Sequence, residues 1–368
     1  MTAAFDRALT QAIDQIRPDV RAAHAYVVQS SHGLLKMDAM ENPYRLPPEL
    51  QRALGERLAT VALNRYPAER TAELARALAR HAGAADDVGV TLGNGSDELI
   101  GLLSIAVARP GACVLAPVPG FVMYEAFARQ QRLDFIGVPL RADDFQLDEA
   151  AMLAAIREHQ PALIYLAYPN NPTATLWDAA VIERIAQAAP GLVVMDEAYQ
   201  PFVDQVSGQS SLALMARQPN VLVMRTMSKF GLAGVRIGYL LGAAALVEQV
   251  EKLRPPYNIS VLNAEAALFA LAHADVYAAQ AAELRQQRDR LFQALQALPG
   301  VSPWPSQGNM ILARVQDAAA TFAALKARGV LIKNVSALHP LLANCLRFTV
   351  GTPDENTRLL AELQDCLS

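Results

Sequence analysis

Residues 221–239 read Val-Leu-Val-Met-Arg-Thr-Met-Ser-Lys-Phe-Gly-Leu-Ala-Gly-Val-Arg-Ile-Gly-Tyr, and this stretch decides the fold. Its apolar start, residues 221–224, predicts a buried strand, and the glycines that follow Lys229 predict a turn. The strand would therefore deliver the ammonium group of Lys229 directly into a loop. A further apolar run, residues 237–241, predicts the next strand.

Short apolar runs recur on the N-terminal side of this stretch and alternate with stretches of helical period. The alternation is typical of a mostly parallel sheet flanked by helices, so we predict an α/β fold. The other predicted strands are 89–92, 112–116, 162–167 and 192–195. The predicted helices are 71–82, 96–108, 147–158, 178–188 and a long linking helix over about 264–298.

The pattern changes after Pro299 and Gly300 to that of a smaller α+β unit. Its predicted strands are 310–315 and 346–350, and its predicted helices are 318–328 and 353–367. We expect residues 1–45 to form an N-terminal segment that packs on this small domain and makes it discontinuous. The large domain would then span 46–265 and the small C-terminal domain 266–368.

The composition is that of a globular chain and argues against several classes of function. Of 368 residues, 52% are hydrophobic, and a net charge of -4 with a pI near 5.9 gives no basic footprint for nucleic acid. Charged residues and prolines interrupt the apolar runs, so we expect neither a membrane span nor a signal peptide. The three cysteines and six histidines lack metal-ligand spacing, so we expect no metal site and reduced thiols in the cytoplasm.

Polar residues follow the predicted strands at three points. Tyr-Pro-Asn-Asn-Pro-Thr at 168–173 follows one strand, Asp-Glu-Ala-Tyr at 196–199 the next, and Ser228 with Lys229 a third. In open α/β sheets, ligands bind beyond the carboxyl ends of the strands. We therefore expect these three strand ends to converge on one crevice.

Lys229 and Asp196 have the chemistry that pyridoxal phosphate requires. A lysine amine condenses with a carbonyl, and this linkage holds the cofactor in its enzymes. A carboxylate at the end of a buried strand is unfavourable unless it faces a cation, and a protonated pyridine nitrogen would supply one. The alternatives are an ordinary loop lysine at 229 and a helix cap or surface acid at 196.

The phosphate of such a cofactor also has candidate partners. Gly-Asn-Gly-Ser-Asp-Glu at 93–98 opens a helix after a strand, where backbone N–H groups bind anions. Ser228 and Arg236 would complete the phosphate site through charge-assisted hydrogen bonds. The alternatives are a common helix cap at 93–98 and a surface arginine at 236.

The cofactor ring has three candidate partners. Tyr124 is placed to stack on the ring, and Asn171 and Tyr199 are placed to donate to its phenolic oxygen. Core packing of the two tyrosines and turn chemistry at Asn171 are the alternatives.

Together and in this order, the motifs resemble the histidinol-phosphate aminotransferases, a family of fold-type-I pyridoxal-phosphate enzymes, over nearly the whole chain. The resemblance implies a large domain with a mostly parallel sheet, a smaller discontinuous α+β domain, and a homodimer with shared active sites. The motifs that carry it lie at 40–44 (Met-Glu-Asn-Pro-Tyr), 65–67 (Arg-Tyr-Pro), 93–98, 168–173, 196–199, 228–236, 308–309 (Gly-Asn) and 345–347 (Cys-Leu-Arg).

The resemblance also implies a role for each matching residue. Lys229, Asp196 and Tyr199 would form the catalytic set, and Tyr66 would reach the cofactor phosphate of the neighbouring subunit. The other implied cofactor contacts are Gly95, Ser96, Asp97, Tyr124, Asn171, Ser228 and Arg236. The implied substrate contacts are Arg347, which would clamp an α-carboxylate, Asn171, Tyr26, Asn42 and Lys333.

The activity implied by the resemblance is transamination of L-histidinol phosphate with 2-oxoglutarate to imidazole-acetol phosphate and L-glutamate, in histidine biosynthesis. Two positions depart from the family pattern, which more often has Asn in place of Met40 and Arg in place of Lys333. Related enzymes on this scaffold provide the alternatives. These are an aromatic or broad-specificity amino-acid aminotransferase, a threonine-phosphate decarboxylase, and a non-catalytic sensor domain that binds pyridoxal phosphate.

Overall fold

The computed structural model describes residues 3–23, 25, 29–204 and 211–367, which fall into two compact units, Met1–Gly33 and Leu34–Ser368. The first unit contains helices α1 (Ala3–Asp14) and α2 (Pro18–Ala22). Pro18 is the first residue of α2, where its missing N–H leaves no intrahelical hydrogen bond unmade.

The second unit contains the two sheets that carry the predicted site. Its strands are β1 (Leu35–Lys36), β2 (Val88–Gly93), β3 (Cys113–Val118), β4 (Asp134–Pro139), β5 (Leu163–Ala167), β6 (Leu192–Asp196), β7 (Val221–Thr226), β8 (Gly238–Ala243), β9 (Ser302–Pro303), β10 (Met310–Arg314), β11 (Val330–Leu331), β12 (Lys333–Asn334) and β13 (Cys345–Thr349). Its helices are α3 (Pro48–Ala59), α4 (Ala68–Ala82), α5 (Ser96–Val107), α6 (Met123–Gln130), α7 (Glu149–His159), α8 (Ala179–Ala188), α9 (Leu212–Arg217), α10 (Ala244–Glu251), α11 (Val261–Ala272), α12 (Ala274–Ala297), α13 (Ala318–Ala327) and α14 (Pro353–Leu367).

The main sheet has seven strands within the described residues, in the order β2-β8-β7-β6-β5-β3-β4. β8 runs antiparallel to β2 and β7, and the remaining neighbours are parallel. The predicted α/β fold with a mostly parallel sheet is therefore confirmed. The edge strand β4 escaped prediction because Gly137 and Pro139 interrupt its apolar pattern.

Alternate residues of the central strands face two different hydrophobic clusters, because successive side chains of a strand point to opposite faces. Val194 and Leu222 are packed in the cluster that includes α5, α6 and α10. Met195 and Val223 are packed in the cluster that includes α4, α7, α8 and α11. All four side chains are almost completely buried, which explains the unbroken apolar runs in the sequence.

A second sheet, in the order β12-β13-β10-β9, packs with α12, α13 and α14 around its own hydrophobic cluster. β1 pairs in parallel with β11, which brings residues 35 and 36 beside 330 and 331. The helix predicted over 264–298 is in fact two helices, α11 and α12, because His273 has non-helical angles of φ -120° and ψ 37°. The division into domains at residue 265 stays a prediction.

In the part of the chain that the structure describes, no helix combines the length and the apolar character needed to cross a membrane.

Candidate active site

A cavity of about 330 Å³ opens at the carboxyl ends of β5, β6 and β7, where Ala167, Asp196 and Thr226 line it. The structure brings nine of the predicted site residues together in its wall. They are Ser96, Asp97, Tyr124, Asn171, Asp196, Tyr199, Ser228, Lys229 and Arg236.

Lys229 lies in a tight helical turn, Ser228–Leu232, that follows β7. Gly231 in this turn has φ +136°, and a Cβ there would lie 2.7 Å from the ring of Tyr277. The Nζ of Lys229 donates a hydrogen bond to the carbonyl oxygen of Ala39 at 2.8 Å. Burial lowers the pKa of Lys229 to about 8, and the positive charge of Arg347 acts in the same direction. The amine therefore loses its proton far more readily than an ordinary lysine.

Asp196 is the last residue of β6, and only 5% of it is exposed. Its Oδ2 accepts a hydrogen bond from the Tyr124 hydroxyl at 2.6 Å, and its Oδ1 accepts one from the Ala198 N–H at 3.1 Å. Burial raises the pKa of Asp196 to about 6, although the hydrogen bond from Tyr124 opposes that rise. Both donors are neutral, so the carboxylate retains its affinity for a cation.

The aromatic ring of Tyr124 is held from behind by a second tyrosine. It stacks on Tyr165 with ring centres 4.3 Å apart and an interplanar angle of 2°. Tyr165 belongs to β5, so the sheet itself fixes the orientation of Tyr124 at the cavity wall.

A hydrogen-bonded chain connects the second sheet to this cavity. Arg347, on β13, donates through Nη1 to Asn171 Oδ1 at 2.7 Å and through Nη2 to the Asp38 carbonyl oxygen at 2.7 Å. Asn171 in turn donates through Nδ2 to the Tyr199 hydroxyl at 3.0 Å. Burial raises the pKa of Tyr199, so its hydroxyl keeps its proton as a donor.

The N-terminus of α5 and two side chains form a cradle for an anion. Gly95 precedes the helix with φ +82°, and a Cβ at this position would collide with the guanidinium of Arg236. Arg236 donates through Nη1 to Ser228 Oγ at 3.3 Å, and its Nη2 lies 3.4 Å from Asp97 Oδ2. The backbone N–H groups of the first helical turn point toward the same space, which suits a phosphate.

Gly95 and Arg347 do not line the cavity themselves but contact residues that do, and of four further predicted residues three do not line it and one lies outside the described residues. Tyr66 is 76% exposed and stacks on Tyr257 with ring centres 4.3 Å apart. Asn42 donates to Gln280 at 2.9 Å, and Lys333 lies directly opposite Arg347 in the pairing of β12 with β13. The remaining one, Tyr26, lies outside the described residues.

The chain matches the family model of the class I and II aminotransferases over residues 33–363. The chain belongs to this family. The histidinol-phosphate aminotransferase of Methylibium petroleiphilum is 62% identical over 356 residues, which cover 96% of this chain and 95% of that protein. The histidinol-phosphate aminotransferase of Paracidovorax citrulli is 60% identical and covers 98% of this chain and 99% of its own length.

A solved structure gives the same assignment for the fold. The crystal structure of histidinol-phosphate aminotransferase from Sinorhizobium meliloti in complex with pyridoxal 5'-phosphate aligns with a TM-score of 0.84 and 26% identity. The alignment covers 96% of this chain and 97% of that one. The predicted resemblance to this group of aminotransferases is confirmed.

Class I and II aminotransferases depend on pyridoxal phosphate, which confirms the predicted cofactor. The residues of this aminotransferase fit the cofactor in three independent ways. Asp196 is a buried carboxylate with neutral donors, Gly95 lets the Arg236 guanidinium lie against the N-terminus of α5, and Lys229 brings an amine of lowered pKa to the same cavity.

Sequence reasoning missed Thr226 and Glu41, which also line the cavity of this aminotransferase. Thr226 accepts from the Ser228 N–H at 3.1 Å and its hydroxyl lies 3.0 Å from Ser228 Oγ. The sequence could have indicated Thr226, because this residue lies just beyond the end of a predicted strand, two residues before Ser228. Glu41 forms an ion pair with Lys36, and its charge opposes the lowering of the Lys229 pKa. Nothing in its local sequence indicates that contact.

Met40 departs from the family pattern at a position with an unusual backbone. Its φ is +51°, in the left-handed region that Asn adopts more readily than Met. The Met40 N–H donates to the Thr349 hydroxyl at 3.1 Å, and the Met40 carbonyl oxygen accepts from Asn309 at 3.0 Å. These two hydrogen bonds hold the conformation in this aminotransferase, and the left-handed backbone explains why Asn suits the position.

Proposed function

We propose that this chain transfers the amino group of L-histidinol phosphate to 2-oxoglutarate, which yields imidazole-acetol phosphate and L-glutamate. The observation that carries the proposal is 62% identity with a histidinol-phosphate aminotransferase across 96% of the chain. The reaction would belong to histidine biosynthesis in the cytoplasm. Reduced thiols would suit that compartment, and Cys113, Cys345 and Cys366 are all free.

The cofactor contacts in this proposal follow from the cavity wall. When bound, pyridoxal phosphate accepts the electron pair that the substrate Cα keeps as its proton leaves. Asp196 would face the pyridine nitrogen, and Tyr124 would lie against the ring. The phosphate would be held by Ser228, Arg236 and the α5 N-terminus with Gly95, Ser96 and Asp97. Asn171 and Tyr199, already linked at 3.0 Å, would donate to the phenolic oxygen.

Lys229 would act on two bonds in turn. Its amine would first hold the cofactor covalently, and the amine of the substrate would then displace it. The released Nζ would next remove the proton from the substrate Cα, for which a neutral amine is required. A pKa of about 8 makes that neutral form available near physiological pH.

Arg347 would bind the anionic end of each substrate. Its two Nη atoms donate to neutral acceptors, Asn171 Oδ1 and the Asp38 carbonyl oxygen. An anionic substrate group can take the place of these acceptors, because its charge-assisted hydrogen bonds to Arg347 are stronger. In one half-reaction the anion would be the α-carboxylate of glutamate, and in the other the substrate phosphate. Lys333, opposite Arg347 in the strand pair, would add positive charge, and Tyr26 and Asn42 would contact the substrate side chain.

The working enzyme in this proposal is a homodimer with shared active sites. The exposed ring of Tyr66 supports this arrangement, since it lies outside the cavity of its own chain, stacked on Tyr257, and would reach the cofactor phosphate of a neighbouring subunit. Within each subunit, residues 46–265 would form the cofactor-binding domain and 266–368 the small domain, with 1–45 packing on the latter.

A half-reaction assay tests the substrate assignment directly. The yellow holoenzyme is mixed in turn with histidinol phosphate, glutamate, histidine and phenylalanine, and the loss of its visible absorbance is followed. We expect a response to histidinol phosphate and glutamate and little response to phenylalanine. An equal response to phenylalanine would favour a broad-specificity aminotransferase, and carbon dioxide release without need for an oxo acid would indicate a decarboxylase.

A further inference from the structure

A buried ion pair lies directly behind the strand ends that carry the cofactor residues. Glu197 is 2% exposed and Arg225 is 8% exposed. Arg225 donates to Glu197 Oε2 through Nε at 2.8 Å, and its Nη2 lies 2.7 Å from the same oxygen. The other carboxylate oxygen, Oε1, accepts from the Ser211 N–H at 2.7 Å.

This ion pair lies on the face of the sheet opposite to the cofactor cavity. In β6, the side chain of Asp196 lies on the same face of the sheet as that of Val194, and this is the face of the cavity. The side chain of Glu197, one residue later, lies on the opposite face with that of Met195. In β7 the same alternation sends Thr226 to the cavity and Arg225 to the far face. The Glu197 N–H also donates to the Met224 carbonyl oxygen at 2.8 Å, which continues the pairing of β6 with β7. The ion pair therefore clamps together the strand that ends in Asp196 and the strand that leads to Lys229.

The charged groups around Asp196 indicate how the Glu197–Arg225 ion pair affects the pKa of Asp196. Tyr124, Asp97 and Glu197 act on Asp196, and Asp196 in turn acts on Tyr199 and Tyr165. The negative charges of Asp97 and Glu197 both raise the pKa of Asp196. On the far face, Arg225 acts on Glu197, Tyr239 and His81, and Glu197 also acts on Tyr168. Arg225 thus offsets the negative charge next to Asp196 in the chain.

We propose that Glu197 and Arg225 are positioning residues whose ion pair balances the charge beside Asp196 and so keeps Asp196 available as the anion that the pyridine nitrogen requires. Neither residue lines the cavity, so neither touches the cofactor. Their effect passes through Asp196. Loss of Arg225 leaves the Glu197 carboxylate buried without its cationic partner beside a second carboxylate, which favours protonation of Asp196.

The test measures cofactor binding by the full-length apoenzyme, without any amino-acid substrate, so it is independent of the substrate proposal. Arg225→Met, Glu197→Gln and the double variant Glu197→Gln/Arg225→Met are titrated with pyridoxal phosphate and with its 1-deaza analogue. The analogue has a C–H in place of the ring nitrogen and so has nothing for Asp196 to pair with. Circular dichroism and thermal unfolding verify that each variant is folded.

We expect Arg225→Met to raise the titration midpoint of Asp196 by about one pH unit, which should weaken binding of pyridoxal phosphate roughly twofold at pH 7 and roughly tenfold at pH 5. Binding of the 1-deaza analogue should change little, and the double variant should recover most of the lost affinity. Equal weakening for both ligands, no weakening, or no recovery in the double variant overturns the proposal.

Glu197→Gln provides a second test, in which we expect the pKa of Asp196 to change in the opposite direction. This variant tests the proposal even if Arg225→Met does not fold. Removing the negative charge lowers the pKa of Asp196, so the pH below which pyridoxal phosphate affinity falls should move down. An unchanged or higher midpoint overturns the proposal.

Discussion

At the residue scale, the lowered pKa of Lys229 predicts how the apoenzyme takes up its cofactor. Only the neutral amine attacks a carbonyl, and its fraction rises with pH until the pKa of about 8 is passed. We expect the rate of covalent uptake to rise about tenfold per pH unit below pH 8 and to level off above it. Stopped-flow absorbance measures this rate. A rise that continues to the pKa of an ordinary lysine would contradict the assignment.

Replacement of Lys229 provides the control for that experiment. Lys229→Ala should form no borohydride-stable adduct with pyridoxal phosphate and should show no transamination. Retained turnover would refute the catalytic role of this lysine.

The raised pKa of Asp196 predicts a second pH dependence at the same scale. Because the carboxylate protonates as the pH falls through about 6, wild-type affinity for pyridoxal phosphate should fall over that range. Asp196→Asn removes the charge at nearly constant shape and should weaken binding about tenfold to a hundredfold at pH 7. Equilibrium dialysis at several pH values measures both effects. The Asn variant should lack the fall near pH 6, and a fall that persists in it would assign the titration to another group.

At the scale of the secondary-structure element, the phosphate cradle depends on the missing Cβ of Gly95. Gly95→Ala places a methyl group on the Arg236 guanidinium and strains a backbone at φ +82°. With ψ at 167°, Gly95 has a conformation that essentially only glycine adopts, so we expect a loss of stability of about 1–3 kcal/mol from the backbone alone and, in addition, weaker binding of pyridoxal phosphate. Thermal unfolding and cofactor titration separate the two effects.

Gly83 provides the matched control for the cradle. It ends α4 with φ +77°, and a Cβ there would meet nothing within 4 Å. Gly83→Ala should therefore destabilise the protein without weakening cofactor binding. Equal weakening by the two variants would show that Gly95 acts only through the backbone.

The elements also show which parts of the fold the sequence predicts. β5, β6 and β7 are buried on both faces, so unbroken apolar runs marked them, and the polar residues at their ends marked the cavity. The break at His273 was missed because its neighbours, Ala272 and Ala274, suit a helix on either side. The pattern of residues along a sequence does not indicate which side chains from distant positions will contact each other. For this reason the Tyr124 hydroxyl on Asp196 and the Glu197–Arg225 ion pair emerged only from the structure.

At the scale of the whole molecule, the candidate active site combines parts that lie far apart in the chain. The main sheet supplies Asp196 and Lys229, and the second sheet supplies Arg347, which reaches Asn171 at 2.7 Å. The Ala39 carbonyl oxygen contacts Lys229, and the neighbouring Asp38 carbonyl oxygen contacts Arg347. Residues 38 and 39 therefore link Lys229 to the proposed substrate anchor.

The proposed homodimer predicts that two inactive subunits can restore one active site. If Tyr66 serves the neighbouring cavity, a dimer of one Lys229→Ala subunit and one Tyr66→Ala subunit carries both defects in one site and none in the other. Random mixing then leaves about a quarter of all sites intact, because half of the dimers are mixed and each has one native site. Transamination and pyridoxal phosphate affinity of the mixture should therefore exceed those expected from the two variants measured separately. Activity equal to the simple average of the separate variants would show that Tyr66 acts within its own subunit or not at all.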